Sequence, residues 1–283
     1  MRYAVLCSRV RVEEKLLFDA LDRKGVPFDR VDPRGLAVDI DGRALAAYDG
    51  VLVRCISHTQ AYYLTRWLNG LGIRTVNSHE TIACCGDKLL MSLAFHRAGL
   101  PTPATRFGFD EASMLTALDE MGYPAVLKPV HGSWGRLLAK VSDRSAAEAI
   151  LEHKKTLGGV LHSVFYAQEY VEKPGRDLRT LVVGGEVVYG VWRASDHWIT
   201  NTALGGQATL CELTAEQREL SERAAGAVGG EIVAVDLLES ADGRMLVNEV
   251  NHTPEFHGSV QVVPVDIAGR MVDQLLEQGE ENP

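Results

Sequence analysis

The sequence predicts an α+β protein whose first part is an α/β unit, and three observations lead to this fold class. In the first 85 residues, apolar strand patterns alternate with amphipathic helix patterns, as in a parallel sheet covered by helices. A second pattern of strands and helices follows in the middle of the chain. The last third is rich in strands and contains a predicted hairpin at residues 236–251, around which the polar motifs are organised.

The amino-terminal unit is predicted over residues 1–85. Its strands are short apolar runs, and its first helix carries an apolar stripe on one face before it ends at Gly25. The elements follow one another as strand 2–7, helix 13–24, strand 28–31, strand 50–54, helix 61–71 and strand 74–77. Strands that alternate with helices favour a parallel sheet.

Two further units are predicted, a central one over residues 86–170 and a carboxy-terminal one over residues 171–283. The central unit begins with a helix opened by Gly86-Asp87-Lys88, and a proline-containing linker at residues 101–103 follows that helix. The expected elements are helix 86–98, strand 105–108, helix 111–121, strand 125–129, strand 137–141, helix 146–155, strand 165–171, strand 178–183, strand 187–192 and helix 267–277. The carboxy-terminal unit is therefore expected to be mainly a sheet.

Length and composition exclude several classes of protein. With 283 residues, 46% of them hydrophobic and 24% charged, the chain can bury the cores of two or three compact units. The net charge of −9 argues against a nucleic-acid binder, and no stretch approaches the roughly 20 apolar residues of a membrane helix. The amino terminus lacks the apolar run of a signal peptide, so we expect a cytoplasmic protein. The five cysteines show no CxxC spacing, and we expect buried thiols rather than disulfides or a zinc site.

The predicted hairpin carries oxygen-bearing side chains in a pattern that suits a metal ion. Asp236 closes the apolar run 232–235, and a turn is expected at residues 241–243. Glu249 and Asn251 share one face of the return strand because side chains alternate along a strand. Two carboxylates and an amide oxygen on one face form a site for a hard cation such as Mg²⁺. The alternative is a hairpin whose acids only face water.

A glycine-containing loop and two lysines indicate an anion site. The loop at residues 131–136 joins two apolar strands, and its backbone N–H groups can surround phosphate oxygens, although an ordinary hairpin turn is the alternative. Lys128 ends a buried strand, where an ammonium group requires an anionic partner, either a nucleotide phosphate or a protein carboxylate. Lys88 follows a helix start, where surface lysine is common. The segment at residues 166–172 can present backbone groups to an adenine and a carboxylate to a ribose.

In order and spacing, these motifs resemble the ATP-grasp fold, which has three lobes and binds ATP between the central and carboxy-terminal lobes. Five segments also resemble the LysX group of ligases, namely GDK from 86, LKPVHGSWGRLLAKV from 127, QEYVEKPGRDLR from 168, HWITNTALGGQA from 197 and NEVNHTPEF from 248. Members of that group join α-aminoadipate to the carboxy-terminal glutamate of the small acidic carrier protein LysW, in lysine biosynthesis. The ArgX ligases, which use glutamate, and the RimK-type glutamate ligases share most of these motifs.

The resemblance implies a reaction and a set of site residues. ATP phosphorylates a carboxylate to an acylphosphate, which an amine then attacks with loss of phosphate. The implied ligands of two Mg²⁺ ions are Asp236, Glu249 and Asn251, and the implied catalytic residues are Arg193, Asn201 and Arg179. The residues implied to bind ATP are Lys88, Lys128, His131, Gly132, Ser133, Trp134, Gly135, Gln168, Glu169, Tyr170, Val171 and Asp177. Those implied to meet the substrates are Ser57, His58, His197, Trp198, Thr253, Glu255 and Phe256.

Some of these assignments have ordinary alternatives. Asp177 can equally form a surface pair with an arginine, and histidines spaced as here are more often hydrogen-bonding neighbours than metal ligands. After Thr253 the chain has Pro254, and after Phe256 it has His257-Gly258, where the best-known members have a Met and a Lys-Asn pair. Because the resemblance implies that this segment meets the amino acid, α-aminoadipate and glutamate both remain open as the amine substrate.

The resemblance also implies partners. The chain itself has a net charge of −9, so an acidic carrier must be attracted by a locally basic rim of the cleft. We expect this rim to use a subset of Arg9, Arg11, Arg54, Arg66, Arg74, Arg136, Arg176, Arg179 and Arg193. A homo-oligomer, either a dimer or a tetramer, is also expected. The alternative from another class is a nucleotide-binding regulatory module that has kept the fold and lost the chemistry.

Overall fold

The computed structural model describes residues 1–42, 45, 47–132, 136–159, 163–200 and 207–277. The strands of the amino-terminal lobe are β1 (Tyr3–Leu6), β2 (Phe28–Val31), β3 (Gly50–Val53) and β4 (Thr75–Val76). They form a parallel sheet in the order β2-β1-β3-β4, which confirms the predicted parallel sheet. The helices of this lobe are α1 (Val12–Arg23), α2 (His58–Gly70) and α3 (His79–Gly86), with a short 3-10 helix at Pro33–Gly35.

The central lobe is an antiparallel sheet preceded by a helix. That helix, α4 (Lys88–Arg97), is capped by Asp87, whose carboxylate accepts the backbone N–H groups of Leu89 and Leu90. The strands are β5 (Thr105–Gly108), β6 (Ala125–Lys128), β7 (Ala139–Val141) and β8 (Phe165–Glu169), in the order β5-β8-β6-β7. Helices α5 (Glu111–Met121) and α6 (Arg144–Leu157) bury their apolar residues against this sheet.

The carboxy-terminal lobe is a five-stranded antiparallel sheet. Its strands are β9 (Arg176–Val183), β10 (Glu186–Ala194), β11 (Gln207–Leu210), β12 (Ile232–Glu239) and β13 (Met245–Asn251), in the order β11-β10-β9-β12-β13. The helices are α7 (Ala215–Ala227), α8 (His257–Val260) and α9 (Ile267–Leu276). Met271 and Leu275 of α9 share one core with Leu17 of α1 and Leu181 of β9. This shared core fixes the amino-terminal lobe against the carboxy-terminal sheet.

Helices α3, α7 and α8 were not predicted, although two of them have recognisable starts. The Ser78 hydroxyl accepts the backbone N–H of Thr81 at the start of α3, and Thr214 and Gln217 form a capping box at the start of α7. Helix α2 begins three residues earlier than predicted because the Ser57 hydroxyl caps it. No helix in the described part of the chain is long and apolar enough to cross a membrane.

The predicted hairpin is formed by β12 and β13, and its register explains the polar cluster. Asp236 lies directly opposite Glu249, and a shift in register after Asp236 leaves Asn248 as the extra residue of a β-bulge. The turn is confirmed at the predicted place, because the N–H of Gly243 donates to the carbonyl of Ser240 at 2.8 Å. Asp236 follows the apolar run, but it does not lie near the end of its strand, since β12 continues to Glu239.

Candidate active site

A cleft of about 460 Å³ lies where the three lobes meet. Its walls come from the loops that follow β3, β6 and β8 and from the polar face of β9, β12 and β13. The predicted site residues that line it are His58, Lys88, Lys128, His131, Gly132, Gln168, Glu169, Tyr170, Val171, Asp177, Arg179, Arg193, Trp198, Asp236, Glu249, Asn251, Thr253 and Glu255. The fold therefore gathers most of the predicted residues into one space.

Three other predicted residues, Ser57, His197 and Phe256, do not line this cleft. Ser57 caps α2 by accepting the backbone N–H of Gln60 at 3.4 Å. His197 is exposed, and its ring lies 5.8 Å from that of Trp198. Phe256 is 1% exposed and packs into the core shared by two lobes, so its side chain cannot contact a substrate in the cleft as predicted. Ser133, Trp134, Gly135 and Asn201 lie outside the described residues.

Glu249 and Asn251 lie on one face of β13, and Asn251 Nδ2 donates to Glu249 Oε1 at 3.3 Å. Among the described residues, Glu249 has no cationic side chain within 4.0 Å, so its carboxylate is open to a cation. The same part of the chain contains no cluster of three or more acidic, histidine or cysteine side chains that could enclose a metal ion. This sparse oxygen set fits Mg²⁺, which binds proteins through one or two carboxylates and takes its other ligands from phosphate and water.

Asp236 is held by two arginines. Arg179 donates from Nε to Oδ1 and from Nη2 to Oδ2, both at 2.7 Å, and Arg193 Nη2 lies 3.1 Å from Oδ2. Asp236 is 3% exposed. Burial alone favours the neutral acid, but the two guanidinium groups outweigh it and hold the pKa of Asp236 well below its ordinary value. Asp236 is therefore an anion whose charge the protein already balances.

Arg193 is buried with one nitrogen unsatisfied. Its Nε and Nη2 donate to the two oxygens of Asp177 at 2.7 and 2.8 Å, so Asp177 forms an arginine pair inside the cleft rather than at the surface. Its Nη1 is buried and has no hydrogen-bond partner among the described residues. An unsatisfied buried donor is destabilising by about 1–3 kcal/mol unless a ligand accepts its hydrogen bond. Arg193 Nη1 therefore indicates an acceptor that the described part of the chain does not supply.

The partners of Lys128 among the described residues are amide oxygens. Its Nζ donates to Gln168 Oε1 at 2.5 Å and to Asn248 Oδ1 at 3.2 Å. No carboxylate lies within 4.0 Å in the described part of the chain, so the alternative of a protein ion pair is not realised. Burial lowers the pKa of Lys128 to about 8, with Glu249 opposing this shift and Lys88 adding to it. Lys88 Nζ donates to the carbonyl of Gly132, at 2.7 Å.

The segment after β8 forms another wall of the cleft. The Glu169 N–H donates to the carbonyl of Ala104 at 2.9 Å, and the Glu169 carboxylate accepts the N–H of Ala104 at 3.0 Å. Of the two carboxylates in the segment that was expected to reach a ribose, that of Glu169 is therefore engaged with the protein, and Glu172 is exposed. Lys140 Nζ lies 3.5 Å from the centre of the Tyr170 ring, and the Trp198 ring lies 6.3 Å from it. These aromatic surfaces suit a planar ligand.

The amino-terminal lobe contributes Arg11 and His58 to the wall of the cleft. His58 Nδ1 lies 3.4 Å from His252 Nε2, and a Cβ atom at Gly86 would lie 1.8 Å from the His58 ring. Burial lowers the pKa of His58. Burial and the neighbouring His58 together lower the pKa of His252 to about 3. Arg11 bridges Glu14 at 2.8 Å and Glu255 at 2.9 Å, and so connects the start of α1 to the segment after β13.

Five polar residues of the cleft were not predicted as site residues, namely Thr59, Lys173, Thr200, Asn248 and His252. Asn248 faces Lys128 only because of the bulge, which strict alternation along a strand does not indicate. Lys173 follows the segment that was assigned to adenine and stands four residues before Asp177 in the same motif, which was the signal that could have identified it. Thr200 lies in the segment from residue 197 that resembles the LysX group, and that motif was the signal that could have identified it.

Family models match both parts of the chain. A LysX preATP-grasp domain matches residues 3–84, and a RimK-like ATP-grasp domain matches residues 85–275. Among solved structures, a RimK domain ATP-grasp protein from Sphaerobacter thermophilus superposes with a TM-score of 0.82 at 29% identity. That superposition covers 98% of this chain and 100% of the other. The chain therefore has the ATP-grasp fold.

The relatives include two kinds of LysW ligase, which differ in the amino acid that their names give. The glutamate–LysW ligase ArgX of Sulfolobus acidocaldarius is 33% identical over 97% of this chain and 98% of its own length. The α-aminoadipate–LysW ligase LysX of Saccharolobus solfataricus is 33% identical over 81% of this chain and 84% of its own length. The two similarities are equal in identity, so they do not distinguish between the two amino acids.

Proposed function

The chain belongs to the RimK-like ATP-grasp family of ATP-dependent carboxylate–amine ligases, and we propose that it joins α-aminoadipate to a LysW-type carrier protein. In this proposal ATP phosphorylates the γ-carboxylate of the carrier's terminal glutamate and leaves as ADP. The amino group of α-aminoadipate then attacks the acylphosphate, phosphate leaves, and an amide bond remains.

One observation carries the proposal: two cationic groups of the cleft have bonding capacity that the described residues leave unused. Within the described ranges, Lys128 bonds only amide oxygens and Arg193 Nη1 has no hydrogen-bond partner. Both line the same cleft as the open carboxylate of Glu249. A polyphosphate supplies hydrogen-bond acceptors for Lys128 and Arg193, and the divalent cation that accompanies it supplies a positive charge for Glu249.

The residues divide the work of phosphoryl transfer. Lys88 and Lys128 bind the phosphates, and Arg193 Nη1 contacts the phosphoryl group as it moves, where added positive charge stabilises the transition state. Asp236, Glu249 and Asn251 would hold Mg²⁺, which would neutralise phosphate charge. Arg179 keeps Asp236 ionised and fixed in place. The lobes around the cleft exclude water from the acylphosphate.

The carrier requires a basic surface that the net charge of −9 does not provide. Arg54 and Arg193 are 1% and 3% exposed, so these two of the candidate arginines do not belong to the rim. Arg9 and Arg66 are exposed and are the better candidates. Arg66 lies on α2, whose first residues His58 and Thr59 line the cleft.

ADP release tests the proposal when the purified carrier is supplied with α-aminoadipate or with glutamate. Turnover that needs the carrier and prefers α-aminoadipate supports it. Glutamate is the second candidate, favoured by the ArgX relatives that match almost the whole chain. Preference for glutamate would replace the first candidate by the second, and turnover on free glutamate without carrier would indicate a RimK-type glutamate ligase. No turnover with any acceptor would indicate a nucleotide-binding module.

A further inference from the structure

Thr200 lies at a point where three segments of the chain meet beside Arg193. Lys173 comes from the loop after β8, Asp177 lies in β9, and Thr200 comes from the segment after β10. Thr200 is 1% exposed, and its hydroxyl group bonds both other residues. It receives a hydrogen bond from Lys173 Nζ at 2.6 Å and donates one to Asp177 Oδ2.

The direction of these two hydrogen bonds follows from the chemistry of the groups. An ammonium group has donors and no acceptor, so the Thr200 oxygen must accept from Lys173. The single hydroxyl hydrogen is then available only for the carboxylate of Asp177. Thr200 therefore connects a cation to an anion through one oxygen atom with a defined orientation.

The hydroxyl group also separates two charged groups. Lys173 Nζ lies 3.9 Å from Asp177 Oδ2, at the limit of a direct ion pair. The same Asp177 oxygen accepts from Arg193 Nη2 at 2.8 Å, so Lys173 and Arg193 compete for it. Without the hydroxyl group, Lys173 could approach Asp177 directly and draw the carboxylate away from Arg193.

We propose that Thr200 is a positioning residue that acts through Asp177 to hold the Arg193 guanidinium group with Nη1 turned toward the transferring phosphoryl group. The inference rests on the proposed function for the role of Nη1. A threonine that only stabilised the loop would not need to orient Asp177 toward Arg193. Lys173 is the second member of this arrangement, because its ammonium group fixes the direction of the Thr200 hydroxyl.

Three variants test the proposal. Thr200→Val removes the hydroxyl group at nearly constant volume, and Thr200→Ser restores it. Thr180→Val is the matched control, because Thr180 is a fully buried threonine of β9 whose hydroxyl has no hydrogen-bond partner in the described part of the chain. Each variant is assayed by ADP release with carrier and the preferred amino acid, and its melting temperature is measured.

Thr200→Val is expected to lower kcat by about 10- to 100-fold, the range for a lost hydrogen bond to a charged group, and to change KM for ATP less than about twofold. Thr200→Ser and Thr180→Val are expected to stay within about twofold of the parent kcat. The proposal is overturned if Thr200→Val keeps its kcat, or if Thr200→Ser is as impaired as Thr200→Val. If Thr200→Val does not fold, Thr200→Ala takes its place in the comparison with Thr200→Ser.

Crystal structures separate this inference from the proposed function. In Thr200→Val, Lys173 Nζ is expected within ion-pair distance of Asp177, with the Asp177–Arg193 pair displaced. An unchanged Asp177–Arg193 pair would overturn the positioning role even if the ligase activity is present. A displaced pair in an enzyme that uses neither amino acid would instead support the positioning role while the proposed function fails.

Discussion

Arg179 and Asp236 stand directly opposite each other on β9 and β12 and form two parallel hydrogen bonds of 2.7 Å. Glu249 stands opposite the same aspartate on the other side, on β13. Three neighbouring strands therefore place a cation, an anion and a second anion in one row. The protein balances the charge of Asp236 with arginines and leaves that of Glu249 unbalanced among the described residues. The two carboxylates should respond differently to neutralisation.

Asp236→Asn and Glu249→Gln are both expected to abolish turnover, but only the first should destabilise the fold. Neutralising Asp236 leaves Arg179 and Arg193 without a full counter-charge, and breaking a buried pair in this way destabilises by about 3 kcal/mol. Neutralising Glu249 removes no ion pair seen in the structure. Melting temperatures measured beside ADP release check the difference. Equal melting temperatures for the two variants would contradict it, and near-normal activity in either would contradict the metal assignment.

Lys128→Met is expected to weaken ATP binding and to leave the ligand-free protein as stable as the parent, or more stable. The lysine gives up hydration for two neutral amide oxygens, so its removal relieves an unbalanced charge. Calorimetric titration with ATP and thermal unfolding without ligand measure the two effects. A large drop in the melting temperature of the ligand-free variant would indicate a structural ion pair instead.

The pH dependence of Lys128 has a definite sign. Its pKa falls from 10.5 to about 8 on folding, so between these pH values the unfolded chain binds the proton and the folded chain does not. The ligand-free protein should therefore gain stability from this group as the pH rises from about 8 to 10.5. ATP affinity should fall over the same range because the phosphates need the charged form. Lys128→Met should lose both trends, and their persistence would assign them to another group.

The sequence predicts well what depends on local pattern and poorly what depends on distant strands. Alternation correctly puts Glu249 and Asn251 on one face, and the turn at Gly243 follows from its glycine. The arginine partners of Asp236 are not visible locally, because Arg179 lies on another strand and is brought opposite by sheet register. Phe256 belongs to a polar motif in the sequence but to the core in the structure, since the chain turns there to start α8.

Gly86→Ala is expected to reduce activity, whereas Gly70→Ala should not. Both glycines end a helix, but a Cβ at Gly86 would lie 1.8 Å from the His58 ring and one at Gly70 would meet nothing within 4 Å. The new methyl group must displace His58 from His252 and from the cleft wall. Gly70→Ala should stabilise by about 0.4–1 kcal/mol. Activity and thermal unfolding of both variants check this, and the double variant His58→Ala/Gly86→Ala should recover the stability lost by Gly86→Ala alone.

Arg66→Glu is expected to raise KM for the carrier several-fold with little change in KM for ATP. Arg66 is exposed on α2, and its Nη1 lies 3.3 Å from His79 Nε2. The Tyr62 ring lies 4.8 Å from the His79 ring and 6.1 Å from the ring of His58, which lines the cleft. Arg218→Glu on α7 is the control, because it makes the same change in net charge at an exposed arginine that does not line the cleft. If the attraction is local, only Arg66→Glu raises KM for the carrier. The difference in this KM between the two variants should then shrink as salt screens the charges. Equal effects of the two variants would mean that net charge, and not a rim at α2, controls the encounter with the carrier.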